Sequence, residues 1–594
     1  MFKFKLSYVA LATALTSTCV LADPTIYLHH SGATVVDIEA PNAAGVSHNM
    51  YREFNVNNKG LILNNSGADV THSTLGGIAK NNNLTNGGAS VILNEVISNK
   101  SSSLNGFIEV NGQKADVVIA NPNGISCSGC NFINANKVVM TTGNVNLDST
   151  GAIASYNVTG GKISVDAYGM YANDNYVALL ADTINLNGMV NAKNATISTG
   201  NFTFDNTTGS VTSHGKTANL LQTIIPEYSL DVSSLGGVKA GSITMVGNNL
   251  GFGVRNKGSI VANTSLAMAS NGSLINEGSI TNNGYVAQIA SAGTLKNSGT
   301  ISTKNIAMIS SNGELNNSGT IANSSQMSIT TGGNIENTGT IKASENLVVA
   351  TNGNLKTTYG SMLSSDNTLS VTAIGNITNG GSTHAKDTTV LFGGDKLTVT
   401  GNIHGTDNLL IKSSNGGVTR NGAIVNEGKI AGDTIEIATN GNIKNAKNGV
   451  ISAGKSMKTR SYSLDNAGYI DANYASVFID NYSTTNSGSI VGYNLEFLTW
   501  FDMLNESIIQ AHGDLKINTQ KNGKFINRGG VYAGYTMTLA AKQVVNGGYS
   551  CGLFRTCGVG SLNAQKLILN STHKYASNMG GTQNFKSTEI ITYK

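Results

Sequence analysis

NKGSIVANTSLAMASNGSLINEGSI (256–280) begins and ends on the same five-residue signature, Asn, any residue, Gly, Ser or Thr, Ile. The signature returns at Asn297/Gly299/Ile301, Asn317/Gly319/Ile321 and Asn337/Gly339/Ile341, so the glycines from Gly258 to Gly339 step by 20, 21, 20 and 20. A second signature, Gly-x-Leu/Ile, keeps phase with it at Gly272/Leu274, Gly293/Leu295, Gly313/Leu315, Gly333/Ile335 and Gly353/Leu355. The register then loosens and resumes at Gly428, Gly449, Gly468 and Gly488. A fixed period of about 20 residues is the mark of a stacked repeat. One repeat divides into three short strands, Ser259 to Ala262, Ser265 to Ser270 and Ser273 to Asn276, with turn residues at Asn263-Thr264, Asn271-Gly272 and Glu277-Gly278. Aliphatics at alternate positions, such as Ile260, Leu266, Met268 and Leu274, point inward, and Ser, Thr, Asn and Lys between them face water.

The expected fold is all-β, a parallel β-helix of about 20-residue coils. A leucine-rich repeat shares the period but needs a LxxLxLxxN signature that this sequence lacks, and the Gly, Asn and β-branched content excludes helical repeats. A lone coil buries too little apolar surface to offset its backbone entropy, so stability must come from stacking, and the ends need caps. The composition agrees. Seventy glycines with only 4 prolines and no Gly-X-Y period exclude collagen, while a 40% apolar fraction excludes disorder. Scattered cations summing to a net charge of +4 form no basic stripe, so nucleic acid is not an expected partner.

Residues 1–22 read as a Sec signal peptide: Lys3 and Lys5, an apolar stretch from Leu6 to about Leu15, then Val20-Leu21-Ala22 with cleavage expected between Ala22 and Asp23. Thr16-Ser17-Thr18 before Cys19 makes a poor lipobox. No later stretch reaches the length of an apolar membrane span. The chain then divides into 23–250, strand-like and non-repetitive; 251–550, the repeats; and 551–594, a C-terminal cap or tail.

Within 23–250, Asn121-Pro122-Asn123-Gly124 is a strong turn, because Pro122 presets φ while Asn123 and Gly124 tolerate tight backbone. The stretches GVSHNMYREFNVNNKGLILNNS (45–66), LGG (75–77), ILNEV (92–96), GFIEVNGQKADVVIANPNGISCSGCNFIN (106–134), TTG (141–143) and YSLDVSSLGGVKAGSITMVGNNLGFGVRNKGSIVA (228–262) closely resemble the two-partner secretion domain. That domain opens filamentous haemagglutinins, contact-dependent growth-inhibition proteins and secreted haemolysins of Gram-negative bacteria. The resemblance implies a right-handed β-helix with a specialised N-terminal cap, passage through the Sec machinery and periplasm, and recognition by an outer-membrane transporter with POTRA domains and a barrel. Carried onto this sequence, the transporter-recognition residues are Asn121, Pro122, Asn123, Gly124 and Ile125, the second turn at Asn81, Asn83 and Leu84, and Asn64 and Asn94. One departure stands out: the family's NPNL turn is here Asn81-Asn82-Asn83-Leu84, with Asn82 in place of proline. Asparagine makes the same turn, so reduced rigidity is expected rather than lost export.

Cys127 and Cys130 could form a redox pair, half a zinc site or a local disulfide. A thioredoxin-type centre wants a helix N-terminus that is not expected here. The other pair, Cys551 and Cys557, would lie about 100 Å away along a rod of 4.8 Å coils, so no shared metal site can form. An exported chain favours a disulfide at Cys127 and Cys130, and a second local loop at Cys551 and Cys557, as an end-cap staple or alternatively as a C-terminal anchor. No cofactor, metal site or catalytic constellation is expected. Asp148, Asp166 and Asp182, stepping by 18 and 16, are the one set that could gather as in a β-helical polysaccharide-cleaving enzyme. Tyr493, Phe497, Trp500 and Phe501 form an aromatic-rich segment, either a receptor patch or buried coil faces. The reading reached is a secreted or surface-exposed, non-enzymatic adhesin of haemagglutinin type with a host-cell or neighbouring-bacterium receptor. The alternative is a haemolysin or a shortened growth-inhibition stalk.

Overall fold

The computed structural model describes residues 24–72, 76–215, 228–413, 422–520, 522–547, 549–550, 556–557, 560–571, 578–579 and 581–591. The signal peptide with its cleavage site at Ala22 and Asp23 lies outside the described residues, as does Cys551 and hence its pairing with Cys557. All regular elements among the described residues are strands. They form a parallel β-solenoid of about 22 turns with about 21 residues per coil.

Alternation sets the interior. Ile260, Ile280, Ile301, Ile321 and Ile341 stand in register on successive coils. So do Leu274, Leu295, Leu315, Ile335 and Leu355. All are buried in one core that runs from Val36 to Leu569. Each layer is completed by the next, as the energetics of a lone coil demand. The coil after Asn276 shows the expected three strands, Ser279–Asn282, Val286–Ser291 and Leu295–Asn297. In the coil before it the first two are continuous as Ser259–Ser270, so the corner expected at Asn263 and Thr264 is passed without leaving the extended backbone.

The signature asparagine is a structural element of its own. Asn256 donates from Nδ2 to Oδ1 of Asn276 at 2.8 Å, and Asn276, Asn297 and Asn317 continue to Asn297, Asn317 and Asn337 at 2.7, 2.8 and 2.7 Å. The same amide reaches a carbonyl two residues on and one on the next coil, as Asn297 does to Gly299 and Thr320. A second run of the ladder joins Asn426, Asn445, Asn466, Asn486, Asn505, Asn527 and Asn546, each step 2.8 Å. Between the runs the position is held by Thr357, Asn379 and Val399, which is where the sequence register loosens. These are buried polar groups satisfied by identical neighbours one coil away.

The signature glycine answers to close approach rather than to unusual φ. A Cβ at Gly299 would lie 2.0 Å from the carbonyl oxygen of Gly278 on the coil below. No side chain fits where corner backbones stack this tightly.

At the N-terminal end the pattern changes. Thr25–Leu28 pairs antiparallel with Thr34–Asp37, which starts the parallel stack by pairing with Leu61–Asn65. A four-stranded antiparallel sheet of Asn144–Leu147, Ile153–Val158, Phe202–Asp205 and Val211–Ser213 lies outside the solenoid. Its Tyr156, Phe202 and Phe204 cover outward side chains of the stack, among them Leu93, Val118, Val139 and Leu180. Strands buried on both faces have near-continuous apolar runs, here VVIA (117–120) and ALLA (178–181), where the repeats alternate.

Candidate functional site

Two turns on the cap share one construction. In the first, the Asn121 side-chain oxygen accepts from the Asn123 N–H at 3.0 Å and the Gly124 N–H donates to the Asn121 carbonyl at 3.1 Å. The Asn121 amide donates to the Lys100 carbonyl and to Ser102 Oγ, both at 2.9 Å. Asn123 donates to the Ser98 carbonyl at 2.7 Å. Gly124 has φ +112°, which a side chain rarely adopts, and a Cβ there would meet the Lys162 carbonyl at 3.0 Å. In the second turn the Asn81 oxygen accepts from the Asn83 N–H at 2.9 Å and the Leu84 N–H donates to the Asn81 carbonyl at 3.3 Å. Its amide donates to the carbonyls of Ile38 at 2.8 Å and Asn64 at 3.0 Å. Asn82 thus occupies the proline slot of a turn held by the same side-chain bonds, and both turns are Asx turns.

The carried-over recognition residues fall into two groups. Asn121, Gly124, Ile125, Asn81, Leu84, Asn64 and Asn94 are buried, whereas Pro122 and Asn123 are exposed and Asn83 is half-exposed. Asn64 donates to Asp37 Oδ1 at 2.7 Å and the Ala79 carbonyl at 2.9 Å, and accepts from Asn111 at 2.9 Å. Burial raises the Asp37 carboxyl above the ordinary carboxylate range, and the Asn64 amide pulls the other way. Asn94 accepts from the Tyr51 hydroxyl at 2.9 Å, and burial pushes that phenol well up. Of the carried-over residues, the folded cap therefore holds Asn64, Asn81, Asn94 and Asn121 in internal bonds and exposes only Pro122, Asn123 and part of Asn83.

Directly after the first turn, Cys127 and Cys130 form a disulfide, their Cα atoms 5.4 Å apart, in the solenoid core. The outer sheet is pinned by Lys137, whose Nζ donates to Asn206 Oδ1 at 2.8 Å and lies 5.5 Å from the Tyr176 ring centroid. Burial lowers the Lys137 ammonium and raises the Asp116 carboxyl, each opposed by the other's charge.

The three aspartates do not gather. Asp148 caps a hairpin of the outer sheet, accepting from Thr150 and Ala152; Asp166 sits at a coil corner through its backbone; Asp182 accepts from Asn249 at 3.1 Å. The aromatic segment divides: Phe497 is buried, and Tyr493, Trp500 and Phe501 are exposed. The outer sheet is the element not separated from the coils in the sequence: the doubly buried runs 117–120 and 178–181 mark coils that something covers, but nothing in the sheet's own strands marks them as the cover.

Residues 20–282 match the family model of the TPS secretion domain. The chain belongs to the two-partner secretion exoproteins. It is 39% identical over 256 residues to the toxin CdiA of Yersinia pestis, covering 43% of this chain and 8% of that protein. It is 35% identical over 250 residues to the toxin CdiA of Escherichia coli, covering 41% and 8%. The exoprotein thus spans less than a tenth of the length of these curated relatives. Among solved structures, the filamentous hemagglutinin secretion domain is 31% identical, covering 48% of this chain and 95% of that one at a TM-score of 0.41. The HMW1 secretion domain from Haemophilus influenzae is 15% identical, covering 76% and 98% at a TM-score of 0.24.

Proposed function

We propose that this exoprotein crosses the outer membrane of a Gram-negative bacterium through a cognate barrel with POTRA domains, after Sec-dependent passage into the periplasm, and serves outside as a non-enzymatic adhesin of haemagglutinin type. The domain division is 23–250 for transporter engagement and 251–550 for the displayed rod. The observation that carries the reading is the match of residues 20–282 to the secretion domain, over the stretch that holds both Asx turns.

Burial suggests how engagement and release are linked. In an unfolded chain Asn121, Asn81, Asn64 and Asn94 are all accessible to a transporter; once the cap folds, only Pro122, Asn123 and Asn83 keep exposed surface. Folding outside withdraws the recognised groups, and stacking of successive coils opposes return without any nucleotide. The test is the double variant Asn121→Ala/Asn123→Ala in cells with and without the partner barrel. Periplasmic accumulation is expected, and undiminished export would refute the role of the turn. The CdiA relatives favour a second reading, a growth-inhibition stalk, which predicts that producing cells arrest neighbouring bacteria; attachment to erythrocytes or epithelial cells without arrest supports the adhesin.

A further inference from the structure

Tyr, Phe and Trp number 12 between residues 455 and 535 but three between 256 and 454. Phe497 and Phe525 serve the core; most of the others stand outside, with Tyr482, Trp500 and Phe501 about half exposed. One corner column stacks them. The Tyr462 and Tyr482 rings lie 5.3 Å apart at 27°, and Tyr482 lies 6.2 Å from Trp500 and 6.1 Å from Phe501. Such a column is a rigid, amphipathic surface whose ordering cost is already met.

Below Tyr462 the column ends at Asn440, and the adjoining face has a slot. Lys412 is opposite Ala438 on the next coil, and Ala438 is opposite Arg460 on the one after. The small alanine thus separates two long cations roughly 10 Å apart by coil spacing. Lys412, Ala438, Asn440, Arg460, Tyr462 and Tyr482 line a groove of about 540 Å³. Its other charges, Glu436 and Lys458, face each other on adjacent coils and offset. Arg460 faces Asp480 on the next coil in an ion pair of 3.7 Å, too long for a hydrogen bond, so its side chain, 76% exposed, shares charge with Asp480 while its N–H groups can still meet an anion in the groove.

We propose that this groove binds an acidic polysaccharide, with Arg460 and Lys412 holding a carboxylate or sulfate and the Tyr462–Phe501 column receiving the sugar faces. A planar guanidinium pairs with such oxyanions, and ring faces with polar groups at their margins suit sugars, which are apolar on their C–H faces and hydroxylated at their edges. A protein partner would call for exposed aliphatic surface around the rings, whereas the groove walls are charged and polar. The inference deepens the adhesin reading and rests on it only for its biological setting.

The experiment is calorimetric titration of the purified mature chain with three octasaccharides: hyaluronan, carrying carboxylates; chondroitin sulfate, carrying both groups; and carboxyl-reduced hyaluronan, carrying neither. At least one charged probe should bind, tenfold or more above the neutral one, and which of the two does so assigns the anion. Lys412→Gln/Arg460→Gln should weaken it at least tenfold, as should Tyr482→Ala, while the exposed control Lys296→Gln leaves it unchanged. These side chains point outward, and unchanged circular dichroism checks folding. Equal binding of the neutral probe, a double variant that binds as well as the parent, no binding of either charged probe, or tighter binding of a single-stranded oligonucleotide overturns the proposal. Glycan binding without attachment to cells refutes the adhesin reading and leaves the groove; attachment unaffected by loss of glycan binding does the same to the groove's part in adhesion.

Discussion

Truncating one rung of the asparagine ladder tests what holds the coils together. In Asn297→Ala the Asn276 amide loses its 2.7 Å acceptor but keeps carbonyls at Gly278 and Thr300. The Oδ1 of Asn317 loses its donor and, buried as it is, has no water to replace it. The structure already contains this outcome: Val399 holds the ladder position before Asn426, and Asn426 Oδ1 is among the buried atoms without a partner among the described residues. One orphaned buried acceptor costs about 1–3 kcal/mol and one lost hydrogen bond about 1 kcal/mol, for a total of about 2–4 kcal/mol. Because a solenoid opens locally rather than all at once, the assay is native-state hydrogen exchange read on the peptides covering 276–320. At tenfold per 1.4 kcal/mol, protection should fall roughly 30- to 700-fold, while Lys296→Ala, on the exposed face of the same strand, changes it little. A loss below about threefold for Asn297→Ala would mean that the ladder is a passenger of the aliphatic core and contributes almost nothing itself.

Gly299→Ala forces a Cβ into the Gly278 carbonyl, whereas Gly360, at φ +82° with open space around it, admits one at a backbone cost of about 1–2 kcal/mol. The first substitution should open the flanking coils to proteolysis more than the second, and equal effects would put the requirement in φ rather than in contact. His384 stands in register with His404 on the next coil, and burial first, then the His404 charge, lowers its pKa against the pull of Asp366. A base whose folded pKa is depressed leaves the unfolded chain holding the extra proton, so stability falls as pH drops from about 6.5 toward the lowered value. The ring is partly solvated, so the slope should stay well under the one-proton limit of about 1.4 kcal/mol per pH unit. His384→Gln should flatten it in thermal melts between pH 7 and 5, and an unchanged slope would place the acid sensitivity elsewhere.

The solenoid was legible because its physics repeats. Ile260 and its equivalents mark the inward face every coil, Gly258 and its equivalents mark the backbone contact, and the lapse of the signature between Asn337 and Asn426 falls where Thr357 and Val399 interrupt the ladder. The role of the signature asparagine was less legible, since its partner lies 20 residues away in a direction that a local turn reading does not look. At the cap, the turn at Asn121 could be read from Asn, Pro and Gly alone, because an Asx turn is made by neighbours within three residues, whereas the turn at Asn81, with neither proline nor glycine, was legible only through the resemblance to the family's NPNL turn. The outer sheet could not. Tyr156 and Phe204 meet Val118 and Leu180 only through long-range packing, and strands written in single short runs carry no sign of which layer they join.

The same repetition explains why the cap declared its family while the rod says little beyond its own fold. Inward positions of the rod are fixed by the core, corner positions by backbone contact, and ladder positions by the amide chain, so these three classes report on the fold and on nothing else. What remains free is the outward set. In coils 256–454 that set is mostly Ser, Thr, Asn and Lys, which water satisfies, and its two exposed rings, Tyr285 and Tyr359, stand apart from one another. In coils 455–535 it departs from this default by gathering Tyr482, Trp500 and Phe501 into one column with Tyr462, whose rings stack across coils yet leave about half of three of them in water. A repeat protein has many equivalent coils in which to place solubility-preserving residues, so the coils that gather exposed rings instead are where the proposed groove stands out from the rest of the rod.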